Sequence, residues 1–597
     1  MRMRQDFFSG EHPRLADHLI QMHEAQIAQN CDLSDGSLRA MKRYEKVANI
    51  TESGTLKSLY FWKTDTDVHR VVSTYDLDFV RSSISGEANS RVYVSGLANA
   101  RVLSKHLVSK NFNFTTASYK LGVPAPVDDV AASGYETGSI YRAYFYTYVV
   151  GLGPIDGEEG KPSPVTEISY GSGDVSLTGF SEPPVDRSIA KIRIYRTNSG
   201  SSGLGEFYYM GEFDTNSIVD WAAYTFVDNI PDSDLNEVCP SVSWDMPPDN
   251  IKGFVSLVNG SIAGFVGNTV YLSEPYLPHA WPYAYSIDAR IVGLGVIGTS
   301  VVVMSDEGIY LLSGQPEAMS TLKFAGRFSC ESKRGIVTYE KGVLFPSPEG
   351  PVLVDENGPF LSEYEFFEKG QWKADYYPKT ITAVFFQGHY INFNVVGSFA
   401  IDTRDKNLRR IMDPVPIDAA CVSLVDNELY FIAEDDDGSN ALYKWEGSPV
   451  DYLRYTYRSK AFKLPYYTNF TIARVLYDTE FHSDLADLIV QNAANAVANA
   501  AAIAAGLEQE TLGDQEIDKH ELNYDELAKV YNLSATTAIT FNLYAEGTLV
   551  FTKTVTSVTE FRLPEKALYK HCFYEIIGYV PILEVAMATS PEELDGD

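Results

Sequence analysis

Short runs in which apolar and polar residues alternate, broken by Gly-, Pro- and Asp-rich turns, recur along most of the chain; this period of two belongs to strands. Ser58-Leu-Tyr-Phe-Trp62, Val71-Val-Ser-Thr74 and Arg91-Val-Tyr-Val-Ser95 mark a β-rich segment at 57–130, read as a possible further propeller blade. Within 131–240 the runs lengthen to Ile140–Val150, Val165–Tyr170, Ile189–Thr197, Phe207–Phe213 and Ala223–Val227, with turns at Gly151-Leu-Gly-Pro154, Gly157-Glu-Glu-Gly-Lys-Pro162 and Gly200-Ser-Ser-Gly203. That spacing predicts a seven-strand β-sandwich of the fibronectin type III kind.

Beyond Pro248 the pattern repeats. Two apolar strands flank a tight turn at Asn259-Gly260, Gly298-Thr299, Lys341-Gly342, Gln387-Gly388 and Asp426-Asn427, in steps of 39, 43, 46 and 39 residues. A second turn and a further strand complete each unit. A period near 40 with four strands per unit predicts β-propeller blades, here five over 241–454, with the sandwich inserted between propeller pieces if 57–130 adds a blade. Residues 455–597 read as a C-terminal β-sandwich carrying a helical insertion at 483–531. Ser483 is placed to cap a helix from Leu485 to Ala505 with Gly506 as its stop, and a charged second helix is expected at Gln515–Tyr531. The first helix is uncharged from Leu488 to Leu507 but holds Gln491, Asn492, Asn495 and Asn499, which makes it too polar to span lipid and suits it to packing on a partner helix. Residues 1–56 read as an N-terminal docking arm with a short helix around Leu19–Asn30.

The expected fold is therefore mainly β: a β-propeller, a fibronectin-III-like β-sandwich and a C-terminal β-sandwich with a helical insertion. Composition agrees, with 45% apolar and 13% aromatic residues, led by 39 Tyr and 31 Phe, in 597 residues. Charge narrows the function classes, because 80 acidic against 48 basic residues leave a net −32, which excludes a basic nucleic-acid-gripping surface. The sandwich segment is disproportionately acidic, with sixteen acidic and six basic residues over 131–240, whereas 1–56 is nearly balanced at eight and seven. Neither a signal-peptide core nor a membrane-length apolar run is present, so no membrane insertion is expected and the chain is expected in a cytosol. Cys31, Cys239, Cys330, Cys421 and Cys572 are odd in number and far apart, and read as buried reduced thiols.

Candidate chemistry is sparse. Gly293-Leu-Gly-Val-Ile-Gly298 matches the dinucleotide fingerprint, but the β-branched Thr299-Ser-Val-Val-Val-Met304 follows it where a helix is required, so a turn between blade strands is the better reading. Gly157-Glu-Glu-Gly-Lys161 has Pro162 where a phosphate loop needs Ser or Thr. Asp355-Glu-Asn-Gly358 and Asp435-Asp-Asp-Gly438 lack the alternating spacing of a calcium loop and read as hairpin turns. His389, His482, His520 and His571 are scattered. No catalytic, cofactor or metal site is assigned. Two candidate surfaces remain: Glu158 and Glu159 as acidic residues of a channel wall, and the ring-rich loop around Tyr276, Trp281 and Tyr283 as an aromatic contact, with a rigid inter-blade connector as its plain alternative.

Four stretches resemble the tail nozzle or tail tube structural proteins of short-tailed bacteriophages. They are Pro13-Arg-Leu-Ala-Asp-His-Leu19 with Ala25–Asn30 and Leu33-Ser-Asp-Gly-Ser-Leu-Arg39; Tyr146-Thr-Tyr-Val149 through Gly157–Ser163 and Ile194-Tyr-Arg-Thr197; Gly264-Phe-Val-Gly-Asn268 with Val270–Pro275, Pro278-His-Ala-Trp-Pro282, Gly308-Ile-Tyr310 and Leu312–Gly314; and Phe561-Arg-Leu-Pro564. The resemblance implies a non-enzymatic virion tail protein, assembled in the bacterial host cytoplasm. It also implies a homo-oligomeric, hexameric ring below the portal and head-to-tail adaptor, with tail fibres or spikes as partners. Double-stranded DNA would pass through it without specific binding, which the acidity favours independently because like charge repels phosphate. The alternatives are a receptor-binding or polysaccharide-depolymerising tail protein using the Trp281 region and a carboxylate pair, and an intracellular propeller scaffold for peptides.

Overall fold

The computed structural model describes residues 1–595 apart from 13–14, 66, 109–112, 152–156, 186, 201–204, 327, 362–366, 368, 396, 405–407, 412–415, 436, 505–529, 531–532 and 565–567. The chain is mainly β, with β-propeller blades and two β-sandwiches, and divides into two compact units. One comprises Gly54–Phe360 with Ser423–Asp426; the other comprises Met1–Ser53, Leu361–Val422 and Asn427–Asp597.

In the Gly54–Phe360 unit four antiparallel sheets of four strands follow the propeller meander. One is Asp78–Arg81, Val92–Ser95, Arg101–Leu103 and Ser118–Lys120; the next begins at Lys252–Ser256, the third at Ile291–Ile297 and the fourth at Val337–Tyr339. The first strands of the successive sheets pack together, Lys252–Ser256 touching both Asp78–Arg81 and Ile291–Ile297. This explains the glycines of the dinucleotide-like motif, which is a strand and not a phosphate loop. A Cβ on Gly293 would lie 2.4 Å from Ile336 Cδ1, and one on Gly295 would lie 2.6 Å from Val343 Cγ1, so their absent side chains let adjacent blades approach. Gly295→Val should therefore destabilise this unit by about 1–3 kcal/mol through overpacking; urea unfolding followed by tryptophan fluorescence checks it.

The sandwich contributes seven strands to the same unit. Glu136–Val150 runs between Thr166–Ser172 and Ile189–Thr197, with Phe207–Asp214 beyond, and a second sheet holds Ala131–Ser133, Val175–Thr178 and Phe226–Asp228. Tyr144, Tyr146, Tyr148, Ile192 and Ile194 pack against Val175, Leu177 and Phe180. The alternation along these strands is what buries that face.

In the other unit two further blades occur. The first is Thr382–Phe386, His389–Asn394, Gly397–Asp402 and Leu408–Ile411; the second is Ala419–Val422, Leu429–Glu434 and Asn440–Lys444, closed by Glu45–Asn49 from the N-terminal region. The N-terminal region expected as a docking arm thus contributes strands to the sheets of this unit. Arg2–Gln5 pairs with Ile582–Ala588, and Ala25–Gln29 pairs with Tyr455–Ser459, so the expected helix around Leu19–Asn30 is a strand instead. Its residues gain long-range ladder bonds that no local pattern reveals, and Ala25 and Ala28 are buried by it. The C-terminal sandwich packs Tyr455, Tyr457, Phe541, Tyr574 and Ile576 against Val475 and Val585.

The helix spans Thr479–Ala504, starting earlier than expected. Its cap is Asp478 and not Ser483, since Asp478 Oδ1 accepts the Phe481 N–H at 3.0 Å directly after the strand Ile472–Tyr477. The second helix expected at Gln515–Tyr531, except Val530, and the Gly506 stop lie outside the described residues.

Candidate functional site

Glu158 and Glu159 lie on the hairpin that returns from the long strand Glu136–Val150, with Val150 N–H bonded to Glu158 O at 2.9 Å and Gly157 N–H to Val150 O at 2.9 Å. Both carboxylates turn inward. Glu159 is 2% exposed, and its Oε1 accepts from Thr147 Oγ1 at 2.7 Å, Tyr195 OH at 2.8 Å and Ser241 Oγ at 3.2 Å, while Oε2 pairs with Arg193 at 2.9 Å. A buried carboxylate satisfied four times, on the face of the Glu136–Val150 sheet opposite the sandwich core, presents no charge to a lumen, so Glu159 is not a channel-lining residue.

Glu158 is corrected in the same way. Its Oε1 meets Arg91 Nη1 at 3.2 Å and stands 3.8 Å from His279 Nδ1, with 16% of its side chain exposed. Burial pushes its carboxyl up to about 7 against the opposing pull of Arg91. His279 is 4% exposed and edge-on to Trp244 at 5.4 Å. Burial, with help from the Arg91 charge, holds its imidazole down at about 4, and neither ring nitrogen has a hydrogen-bond partner among the described residues. Glu158, Arg91 and His279 together form a polar joint between the sandwich hairpin, the Asp78–Lys120 sheet and the 276–283 connector.

The aromatic loop is a connector. Trp281 is 2% exposed, stacks on Phe254 at 5.3 Å and 19°, and donates its Nε1–H to Pro278 O at 2.8 Å. Tyr283 donates its hydroxyl to Glu274 at 2.7 Å. Tyr276 alone is exposed, at 52%, in a left-handed conformation with φ 61°. With the indole inside the blade, no aromatic shelf faces solvent here.

The remaining motifs are structural. Asp355 Oδ1 accepts the Asn357 N–H at 2.7 Å in a hairpin turn, and Asp435 O accepts the Gly438 N–H at 2.9 Å in another. Among the described residues no group of three or more His, Cys, Asp or Glu side chains is placed to hold a metal ion. The described cysteines are free, four buried and Cys421 partly so, with burial raising the Cys330 thiol to about 12.

What sequence reading missed is a cleft in the unit containing both termini, with a volume of about 530 Å³. Its walls come from six separated stretches: Asp32 with Arg39–Lys42, Phe386 and Gln387, Glu428, Lys444–Pro449 with Tyr452, Asp478 with Phe481, and Tyr579 with Pro581. No motif could announce it, because only folding brings those stretches together. Glu446 sits there with φ 49°, and burial together with nearby Asp32 pushes its carboxyl up to about 7.

No protein-family model matches the chain, and no curated protein matches it. Solved structures do. The AfRom2 CNH domain aligns at 8% identity over 67% of this chain and 98% of its own, with a TM-score of 0.26. BamB from Moraxella catarrhalis aligns at 12% identity over 62% of this chain and 98% of its own, at 0.24, and the Neurospora crassa Pan2 WD40 domain at 8% over 62% and 90%, at 0.25. Similarity this low carries no functional argument; the fold description rests on the sheets themselves.

Proposed function

We propose that this chain is a structural subunit of a short-tailed bacteriophage tail, forming a hexameric tube or nozzle below the portal and adaptor through which DNA is conducted. The observation that carries the reading is where the resembling stretches lie. Ile194-Tyr-Arg-Thr197 is the buried centre of the sandwich, Pro278-His-Ala-Trp-Pro282 is a buried connector of a blade, and Phe561–Arg562 pairs with Ile472 and Ala473 in the C-terminal sandwich. The resembling stretches therefore include buried and strand-paired parts of both units. Two features add support. Strands from the N-terminal region are sewn into three sheets of their unit, which opposes unravelling under force. The net −32 charge disfavours phosphate binding, so DNA would slide. The charge of a lumen must come from carboxylates other than Glu158 and Glu159, and the depolymerase reading loses the Trp281 shelf it relied on.

The test is negative-stain imaging with light-scattering mass, on the purified protein alone and with a portal–adaptor complex. A six-fold ring with a central hole is expected in at least one condition. A monomer in both overturns the proposal.

A further inference from the structure

The cleft of the unit that contains both termini has an unusual residue of charge once its internal pairs are set aside. Lys444 bonds Glu428 at 3.1 Å, Arg39 bonds Asp35 at 2.5 Å, and Asp32 lies 3.7 Å from Arg409. Asp478 is occupied by the helix it caps. Two opposite charges among the lining residues remain, the half-buried carboxylate of Glu446 and the exposed ammonium of Lys42. Neither has an ion-pair or hydrogen-bond partner among the described residues; the charges that act on Glu446 are, in falling order, those of Asp32, Arg409, Lys42 and Glu428, and Asp32 and Arg409 oppose each other. Glu446 is held in place by a left-handed backbone, a strained conformation of the kind that persists where its surroundings over-determine it. Beside them Tyr452 and Phe481 form an edge-to-face pair at 5.3 Å, an apolar wall of the same cavity. A volume of about 530 Å³ is that of a small-molecule site.

We propose that this cleft binds a small zwitterion of the amino-acid class, its ammonium on Glu446, its carboxylate on Lys42 and its apolar side chain against Tyr452 and Phe481. A lone cation would leave Lys42 uncompensated and a lone anion would leave Glu446 so. A ligand carrying both charges neutralises the two in one binding event, and charge-assisted hydrogen bonds are the strong ones. The inference is independent of the tail reading, since a ring can form with the cleft empty.

Isothermal titration calorimetry on the full chain tests it, with L-phenylalanine as probe and 2-phenylethylamine and 3-phenylpropanoate as analogues bearing one charge each. Saturable one-to-one binding of L-phenylalanine is expected, at least about tenfold tighter than either analogue. Glu446→Gln and Lys42→Met should each weaken it about tenfold or more. Lys42 is exposed, so its variant keeps the fold, which circular dichroism verifies. No saturation up to about 20 mM, equal binding of 2-phenylethylamine, or wild-type affinity in both variants overturns the proposal.

Discussion

Replacing Arg196 with Leu should destabilise the sandwich by about 3–5 kcal/mol, the largest effect expected of any single substitution here. Arg196 and Asp228 are both 0% exposed in their side chains and are joined at 2.6 Å, with Asp232 on the second guanidinium nitrogen at 2.8 Å. Tyr144 OH donates to the same Asp228 oxygen at 2.8 Å, and Arg142 stands 3.6 Å away. Removing Arg196 leaves the buried Asp228 carboxylate with no close cation, only the Tyr144 hydroxyl, the Ile230 N–H at 3.1 Å and the more distant Arg142. Leucine restores neither the charge nor the donors. The double variant Arg196→Leu/Asp228→Asn should recover most of the loss, because the uncompensated charge goes with its partner. Urea unfolding monitored by aromatic fluorescence measures both; equal losses in the single and double variants would refute the account.

Stability should also fall as pH rises from about 6.5 to about 8, opposite to the common behaviour of paired carboxylates. Glu11 is 0% exposed, accepts the Ala28 N–H at 2.6 Å and pairs with Arg410 at 2.9 Å. Burial nevertheless outweighs Arg410 and pushes its carboxyl from 4.5 up to about 7. The folded state thus holds the Glu11 proton more tightly than the unfolded chain. Its contribution is complete below the unfolded value and is lost as pH climbs through about 7, a change of about 3 kcal/mol for a shift of this size. Glu158 and Glu446 act with the same sign. His279 and His389, both lowered from 6.5 to about 4 chiefly by burial, act oppositely: their contribution is present above 6.5 and lost as pH falls toward 4. His106, lowered by burial as well, adds to the imidazole group, so the two groups oppose each other below 6.5, and above it the carboxyls act almost alone. Melting temperature measured across this range should decline toward pH 8, and Glu11→Gln should flatten the decline. A profile unchanged by Glu11→Gln would remove Glu11 from the explanation.

Legibility in the sequence followed contact distance. The blade repeats were readable because each meander pairs neighbours a few residues apart, so turns and alternating strands lie together in the chain. The sandwich was readable for the same reason, its long strand Glu136–Val150 pairing with Ile189–Thr197 within one segment. The N-terminal region was misread because its partners lie hundreds of residues on: Glu45–Asn49 completes a blade at Asn440–Lys444, and Ala25–Gln29 joins Tyr455–Ser459. A period-two signal in five residues is too short to outweigh a helical-looking composition. Glu158, Glu159 and Trp281 were misjudged for a different reason. Charged and aromatic residues on Gly- and Pro-rich loops usually face water, and only tertiary packing brought Arg91, Arg193 and Phe254 to meet them.

The amino-acid sequence by itself determined the mainly β class, the blade period, the sandwich, the acidic character and the structural nature of the glycine motifs, since alternation, turn chemistry and net charge are local or summed properties. Tertiary structure alone decided which carboxylates are buried, which strand closes each sheet and that Lys42 and Glu446 share one cleft with Phe481. Those facts depend on contacts between distant stretches, whose loop-closure entropy is offset only by the packed whole.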